Sequence, residues 1–202
     1  MSAPAGAVSP RGEILGEGFY ARPPREVARD LIGCGLFHDG VGGTIVETEA
    51  YEQDDPACHA FIGRTGRTDV LFGPPGRAYV YLCYGIHRMF NVVTDADGTA
   101  AAVLVRALEP TDGIEEMERR RGAAKSPRDL CSGPGKVCEA LGIDLHQTRA
   151  ELWEPPFALT PRADGAAKPE IFAGPRIGIT KGVELPWRYC LGDSPYLSRP
   201  AG

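Results

Sequence analysis

The 202-residue chain suits one compact domain, and 43% hydrophobic with 24% charged residues is ordinary for a globular protein with a real core. Its 26 glycines and 18 prolines argue against a helical bundle, and no run reaches the ~18 apolar residues of a membrane span. A net charge of −5 speaks against a nucleic-acid partner, because phosphate contacts call for a basic footprint.

The chain opens MSAPAGAVSPRGE, which is small, polar and proline-containing, with no apolar leader. Residues 1–18 are expected to be a disordered tail, residues 19–198 one domain, and the cytoplasm the location. Residues 23–32, PPREVARDLI, read as a first helix: proline suits the first turn, Val27, Leu31 and Ile32 make an apolar stripe, and Gly33 ends it. Residues 35–37 and 43–49 read as strands joined at Asp39-Gly40, a hairpin signal.

The second of these strands continues into TIVETEAY (44–51). Alternation sends Ile45, Glu47 and Glu49 to one face, so two acids stand roughly 6–7 Å apart beside buried aliphatics, where desolvation and mutual repulsion are costly. Such an arrangement calls for a reason. From residue 53 to 75 the chain is polar and glycine-containing, a loop long enough to be functional or mobile.

Residues 77–84 (RAYVYLCY), 90–95 (FNVVTD) and 101–108 (AAVLVRAL) read as strands, the last two linked by the turn DADG. Residues 111–121 read as a helix opened by Thr111 or Asp112, with acids in its first turn and bases in its last. Residues 134–141 read as another helix, and residues 174–180 (GPRIGIT) and 188–191 (RYCL) as further strands. The pattern is a single α+β domain on a curved antiparallel sheet.

The six cysteines contain no CxxC pair and read as reduced, buried thiols. His38, His59, His87 and His146 are widely separated, so no metal set stands out and no metal or cofactor is expected. From Glu118 to Lys136, six basic side chains (Arg119, Arg120, Arg121, Lys125, Arg128 and Lys136) face only Glu118 and Asp129. They form either one basic face on an acidic protein or a solvated helix end.

Glu49, Tyr51, His59, Tyr79, Tyr81, Tyr84, His87, Asn91 and Arg106 collect at strand ends in the middle third. Singly each is more often a packing residue; together they describe a pocket with stacking surfaces, a candidate base and a cation. ETEAY (47–51), ACHAF (57–61), FGPPGRAYVYLCYGIH (72–87), FNVV (90–93), VLVRALEP (103–110) and LCSGPGKVCEALGI (130–143) resemble the alkyladenine, or 3-methyladenine, DNA glycosylases of base-excision repair. The resemblance keeps this order from about residue 20 to residue 195.

The resemblance implies a curved antiparallel sheet surrounded by helices. It implies a monomeric enzyme, active on nucleoid DNA, that flips an alkylated or deaminated purine out of the duplex and hydrolyses its N-glycosidic bond without a Schiff base. Tyr84 would be the wedge filling the vacated stack, with Ile86 beside it where the family pattern has methionine. Tyr51, His59 and Tyr81 would sandwich the base, with a cation–π preference for charged lesions. Leu104 would line the pocket, and Asn91 would disfavour guanine through its 2-amino group. Glu49 would deprotonate a water aimed at C1′, with Glu47 as a supporting acid. Arg106 would help to hold that water and a phosphate, and backbone near Ile177 would border the water site. Gly133, Gly135 and Lys136 would contact the DNA backbone. Arg106, Lys136 and part of the 119–128 run should then share one basic face. The four lysines, Lys125, Lys136, Lys168 and Lys181, lie away from the Glu49 motif in sequence, as suits an enzyme without lyase activity.

Two other classes explain some of these residues. A damage-binding protein without chemistry would keep the wedge and pocket but has no use for Glu49. A hydrolase of free nucleosides would explain the acids and the low pI of about 5.4, yet it leaves Tyr84 without a stack to fill.

Overall fold

The computed structural model describes residues 13–163 and 168–201. Pro24 in the first turn and Glu26 near the positive helix end favour helix α2 (Pro24–Leu31), which follows the single turn α1 (Glu17–Tyr20) and buries Val27, Ala28 and Leu31. The Leu15 amide donates to the Leu159 carbonyl, so the chain is tied down before residue 19; the rest of the expected tail, residues 1–12, lies outside the described residues.

Strands β1 (Gly35–His38) and β2 (Val41–Glu52) form the hairpin expected at Asp39 and Gly40, both at positive φ. β2 pairs along nearly its whole length with β5 (Ala101–Asp112), and Gly43 lies so close that a Cβ would run into the Glu109 carbonyl oxygen. With β3 (Ala78–Cys83), β4 (His87–Val93), β6 (Phe157–Thr160), β7 (Ile171–Gly174) and β8 (Arg188–Leu191), these make an eight-stranded sheet. Its order is β3-β4-β5-β2-β1-β6, with β8 against β2 and β7 against β8, and every pair is antiparallel. β2 pairs with β1 up to Thr44 and with β8 from Glu47, and its register on β5 slips between Ile45 and Thr48. Bulges of this kind bend a strand and raise its twist, so the sheet curls here, at the two acids.

Alternation divides the sheet residues between two cores. Val80, Phe90, Val103 and Val105 join Leu31, Met117 and Leu141 in the main core, beneath α2, α3 (Ile114–Arg120) and α5 (Pro134–Leu141). Tyr79, Val93 and Ala102 face the other way. They pack with Ala60, Val70 and Phe72 from two 3₁₀ turns, His59–Ile62 and Asp69–Phe72, in the long loop. Tyr51 and Tyr81 lie against this smaller cluster. Five cysteines are buried, and burial pushes the Cys34, Cys58 and Cys190 thiols up to about 11 and those of Cys131 and Cys138 to about 12.

Three expectations are corrected. Thr111 and Asp112 open no helix: β5 runs on through Asp112 because residues 110 and 112 still pair with Gly43 and Gly42, and α3 starts only after Gly113 at φ 68°. Residues 175–180 are no strand either; Pro175 and Gly178, at φ 78°, take the chain off the sheet. The expected basic face is smaller than the run, although Lys125 and Arg128 are exposed. Arg119 and Arg120 pair with Glu116, Arg121 pairs with Glu139, and Arg106 is buried. β6 and the short helix α4 (Pro127–Leu130) had no sequence signal strong enough to predict.

Candidate active site

Glu47 and Glu49 are both fully buried, and the Arg106 guanidinium joins them: its Nε donates to Glu47 Oε1 at 2.9 Å and Nη1 stands 3.2 Å from Glu49 Oε2. One cation between two carboxylates offsets the repulsion that the strand pattern raised. Burial alone would lower the Arg106 pKa, but the Glu49 and Glu47 charges outweigh it and hold it above the ordinary arginine range.

The two acids differ in their other partners. Glu47 Oε1 also accepts from Arg188 Nε at 2.8 Å and from the Ser198 hydroxyl at 2.8 Å, and Oε2 accepts from the Ser198 amide at 2.6 Å. It is enclosed by β8 and the C-terminal segment. Glu49 Oε1 accepts from the Ile177 amide at 2.7 Å, and Oε2 accepts from the Tyr51 hydroxyl at 2.8 Å. Arg106, Ile177 and Tyr51 all line one cavity of about 600 Å³, so Glu49 lies directly behind its wall. Burial, then the Glu49 charge, push the Tyr51 phenol up, so it stays a donor.

His59, Tyr81, Asn91 and Leu104 line the same cavity. Tyr79 and Tyr81 share a face of β3; their rings lie 5.4 Å apart, and His59 meets Tyr81 edge-on at 4.5 Å. The Asn91 amide nitrogen donates to the Tyr79 carbonyl at 3.2 Å, which fixes that side chain. Burial, then the neighbouring Arg67 charge, lower the His59 pKa to about 4, so the ring is neutral at pH 7. NMR titration of the His59 ring nitrogens should therefore give a midpoint near 4 rather than the usual ~6.5. Because the folded value is depressed, the neutral ring's contribution to stability is intact above pH ~6.5 and is lost as pH falls through about 4.

Tyr84 and Gly85, at φ 51° and 73°, form the two central residues of the β3–β4 turn, closed by the Ile86 amide on the Cys83 carbonyl. Left-handed backbone is costly for tyrosine, so the strain sits where its side chain projects. Tyr84 is 88% and Ile86 68% exposed; Tyr84 also lines the cavity, whereas Ile86 does not. Beside this turn, Gly133 precedes α5, Pro134 lines the cavity and Gly135 packs against His87. Lys136 donates to the Ser132 hydroxyl at 3.0 Å, so it is half-buried near the cavity rather than within it.

Three basic residues escaped the sequence reading as members of this site. Arg67, on the long loop, stacks over Tyr81 at 5.1 Å, and Lys181 lines the cavity near Ile177, so the lysines are not all remote from Glu49 in space. Arg176 is buried, paired with Asp55, and stacks over Tyr51 at 4.7 Å. Their only sequence signals were the length of the 53–75 loop and the position of Arg176 next to Ile177.

The model of the family described as methylpurine-DNA glycosylase (MPG) matches residues 18–195. A Rhodopseudomonas palustris (strain BisB18) protein is 55% identical over 189 residues, 94% of this chain and 92% of its own. A Bradyrhizobium diazoefficiens protein is 52% identical over 200 residues, 98% of each chain, and a Nitrosospira multiformis protein 53% identical over 175, 87% and 89% of the two. Each bears the name "Putative 3-methyladenine DNA glycosylase". A family match over nearly the whole sequence and identities above one half carry one conclusion: the chain belongs to the methylpurine-DNA glycosylases, hydrolases of N-glycosyl bonds.

Proposed function

We propose that residues 19–198 form one catalytic domain, a monofunctional glycosylase that works as a monomer on nucleoid DNA. It flips an alkylated or deaminated purine nucleotide out of the duplex and hydrolyses its N-glycosidic bond. The observation that carries this reading is Glu49, a buried carboxylate held by three groups that line a cavity with aromatic walls.

A purine inside the stack shields its sugar, so extrusion comes first, at a cost of a few kcal/mol. Tyr84 replaces the lost stacking, and the base enters between Tyr51 and the His59–Tyr81 pair. Asn91 and Leu104 shape the floor, where the 2-amino group of guanine would be rejected. As the C1′–N9 bond breaks, its electron pair leaves with the purine. Water adds its oxygen to C1′ and gives its proton to Glu49, whose charge also stabilises the oxocarbenium-like sugar. Arg106 and the backbone at Ile177 orient that water, and the 133–136 segment holds the DNA backbone with Ile86 beside the wedge.

The test uses duplexes carrying one hypoxanthine or one ethenoadenine. The reading predicts release of free base, strand cleavage only after hot alkali, and no adduct trapped by borohydride. Spontaneous cleavage with a borohydride adduct would make Lys181 a Schiff-base nucleophile and overturn the monofunctional assignment. Tight lesion binding without release would instead favour a damage-binding protein. Tyr84→Ala is expected to lower kcat/KM on such duplexes about 10–100-fold, the loss of ~1–3 kcal/mol of base–aromatic stacking, with melting almost unchanged because the side chain is exposed.

A further inference from the structure

The charges around the cavity bear on which purines it takes. The rings of both tyrosines proposed to sandwich the base already have a guanidinium over them, Arg176 on Tyr51 at 4.7 Å and Arg67 on Tyr81 at 5.1 Å. Arg67, Arg106 and Lys181 line the cavity, and among the described residues no carboxylate does. Arg176 is neutralised by Asp55, and Arg106 by Glu47 and Glu49. Arg67 differs from both. Among the described residues no carboxylate pairs with it; its partners are the Tyr79 hydroxyl and His59 Nε2, each at 3.3 Å. The loop that carries it is pinned by the buried Thr68, whose hydroxyl donates to the Gly63 carbonyl at 2.9 Å and accepts from the Thr65 amide at 2.8 Å.

We infer that Arg67 is a specificity-determining residue that biases the base pocket toward neutral damaged purines, such as hypoxanthine and ethenoadenine, and against cationic N-alkylated ones. This rests on the proposed glycosylase reading and deepens it.

Two effects act in the same direction. In the bound state, an uncompensated guanidinium at the Tyr81 ring uses the electron-rich face that a cationic base would want, and repels that base directly. In the transition state, a neutral purine takes the bond pair and departs as an anion, which Arg67 stabilises. A cationic purine departs neutral and gains nothing from the charge. The cation–π preference for charged lesions that the aromatic residues alone suggested is therefore opposed by the charge beside them.

The experiment measures single-turnover release of hypoxanthine and of 7-methylguanine, neutral and cationic respectively, from otherwise identical duplexes by the wild type, Arg67→Gln and Arg67→Lys. Arg67→Gln removes the charge and keeps a donor for His59; Arg67→Lys keeps the charge and loses the planar stack. The 7-methylguanine to hypoxanthine rate ratio should rise on the order of tenfold in Arg67→Gln, the scale for one charge in a partly wet site. In Arg67→Lys it should stay within about twofold of the wild type, on the same charge argument. An unchanged or lower ratio in Arg67→Gln, or equal shifts in both variants, would overturn the inference and leave Arg67 a positioning residue. A wild type that releases neither base, and no 3-methyladenine from alkylated duplex, would instead sink the glycosylase reading itself. Melting curves of both variants separate either outcome from misfolding.

Discussion

Glu49→Gln is expected to lower the single-turnover rate of base release by 10²–10⁴-fold, the usual range for removing a general base, while duplex affinity falls far less. The substitution keeps an oxygen for the Ile177 amide. At the other position it sets an NH₂ against the Tyr51 hydroxyl, which now donates to Glu49 Oε2, and against the Arg106 Nη1, which now pairs with that oxygen at 3.2 Å. The water then has no proton acceptor, and the sugar cation loses its nearest negative charge. Quenched release assays on a hypoxanthine duplex, beside a filter-binding measurement with the same DNA, separate turnover from binding. Equal losses in both would assign Glu49 to lesion binding instead.

Glu47→Gln should act chiefly on stability. Glu47 and Glu49 together balance Arg106 and Arg188, all four of them buried. Removing the Glu47 charge leaves two guanidinium groups against one carboxylate in a low-dielectric interior, and breaking a buried pair in this way costs about 3–5 kcal/mol. For a domain of this size that lowers Tm by on the order of 10 °C. The new amide also faces Arg106 Nε, Arg188 Nε and the Ser198 amide, donors it can satisfy only in part. The C-terminal segment is held here too, since Arg188 donates to the Pro200 and Arg199 carbonyls, so residues 196–201 should gain the most hydrogen exchange. A Tm within about 2 °C of the wild type would show that the cluster adapts and that Glu47 is not its structural anchor.

What could be read from the sequence was local. Turn chemistry located the β1–β2 hairpin at Asp39-Gly40 and the DADG connection between β4 and β5, and α5 and β8 fall on the predicted residues, 134–141 and 188–191. Alternation also put Glu47 and Glu49 on one face, and both reach Arg106 although the strand bulges between Ile45 and Thr48. Long-range pairing was not legible. Thr111 and Asp112 look like helix caps, yet β2 holds them in a strand; Ile177 and Ile179 look like a strand, yet Pro175 and Gly178 release them to meet Glu49 and the cavity. The basic run looked more strongly charged than it is because charge counting over 118–136 ignores partners outside it: Glu116 is shared by Arg119 and Arg120, and Glu139 pairs with Arg121. Arg67 and Arg176 enter the site only through the folding of loops, which no periodicity encodes.

The division of labour between the two carboxylates is best tested by running Glu47→Gln and Glu49→Gln side by side on one ethenoadenine duplex. Each single-turnover rate should be taken well below that variant's own Tm. The account predicts that Glu49→Gln is folded and nearly inert, whereas Glu47→Gln melts early but still releases base and leaves an alkali-labile site. A stable, active Glu49→Gln with an inactive Glu47→Gln would contradict it and transfer the base to Glu47.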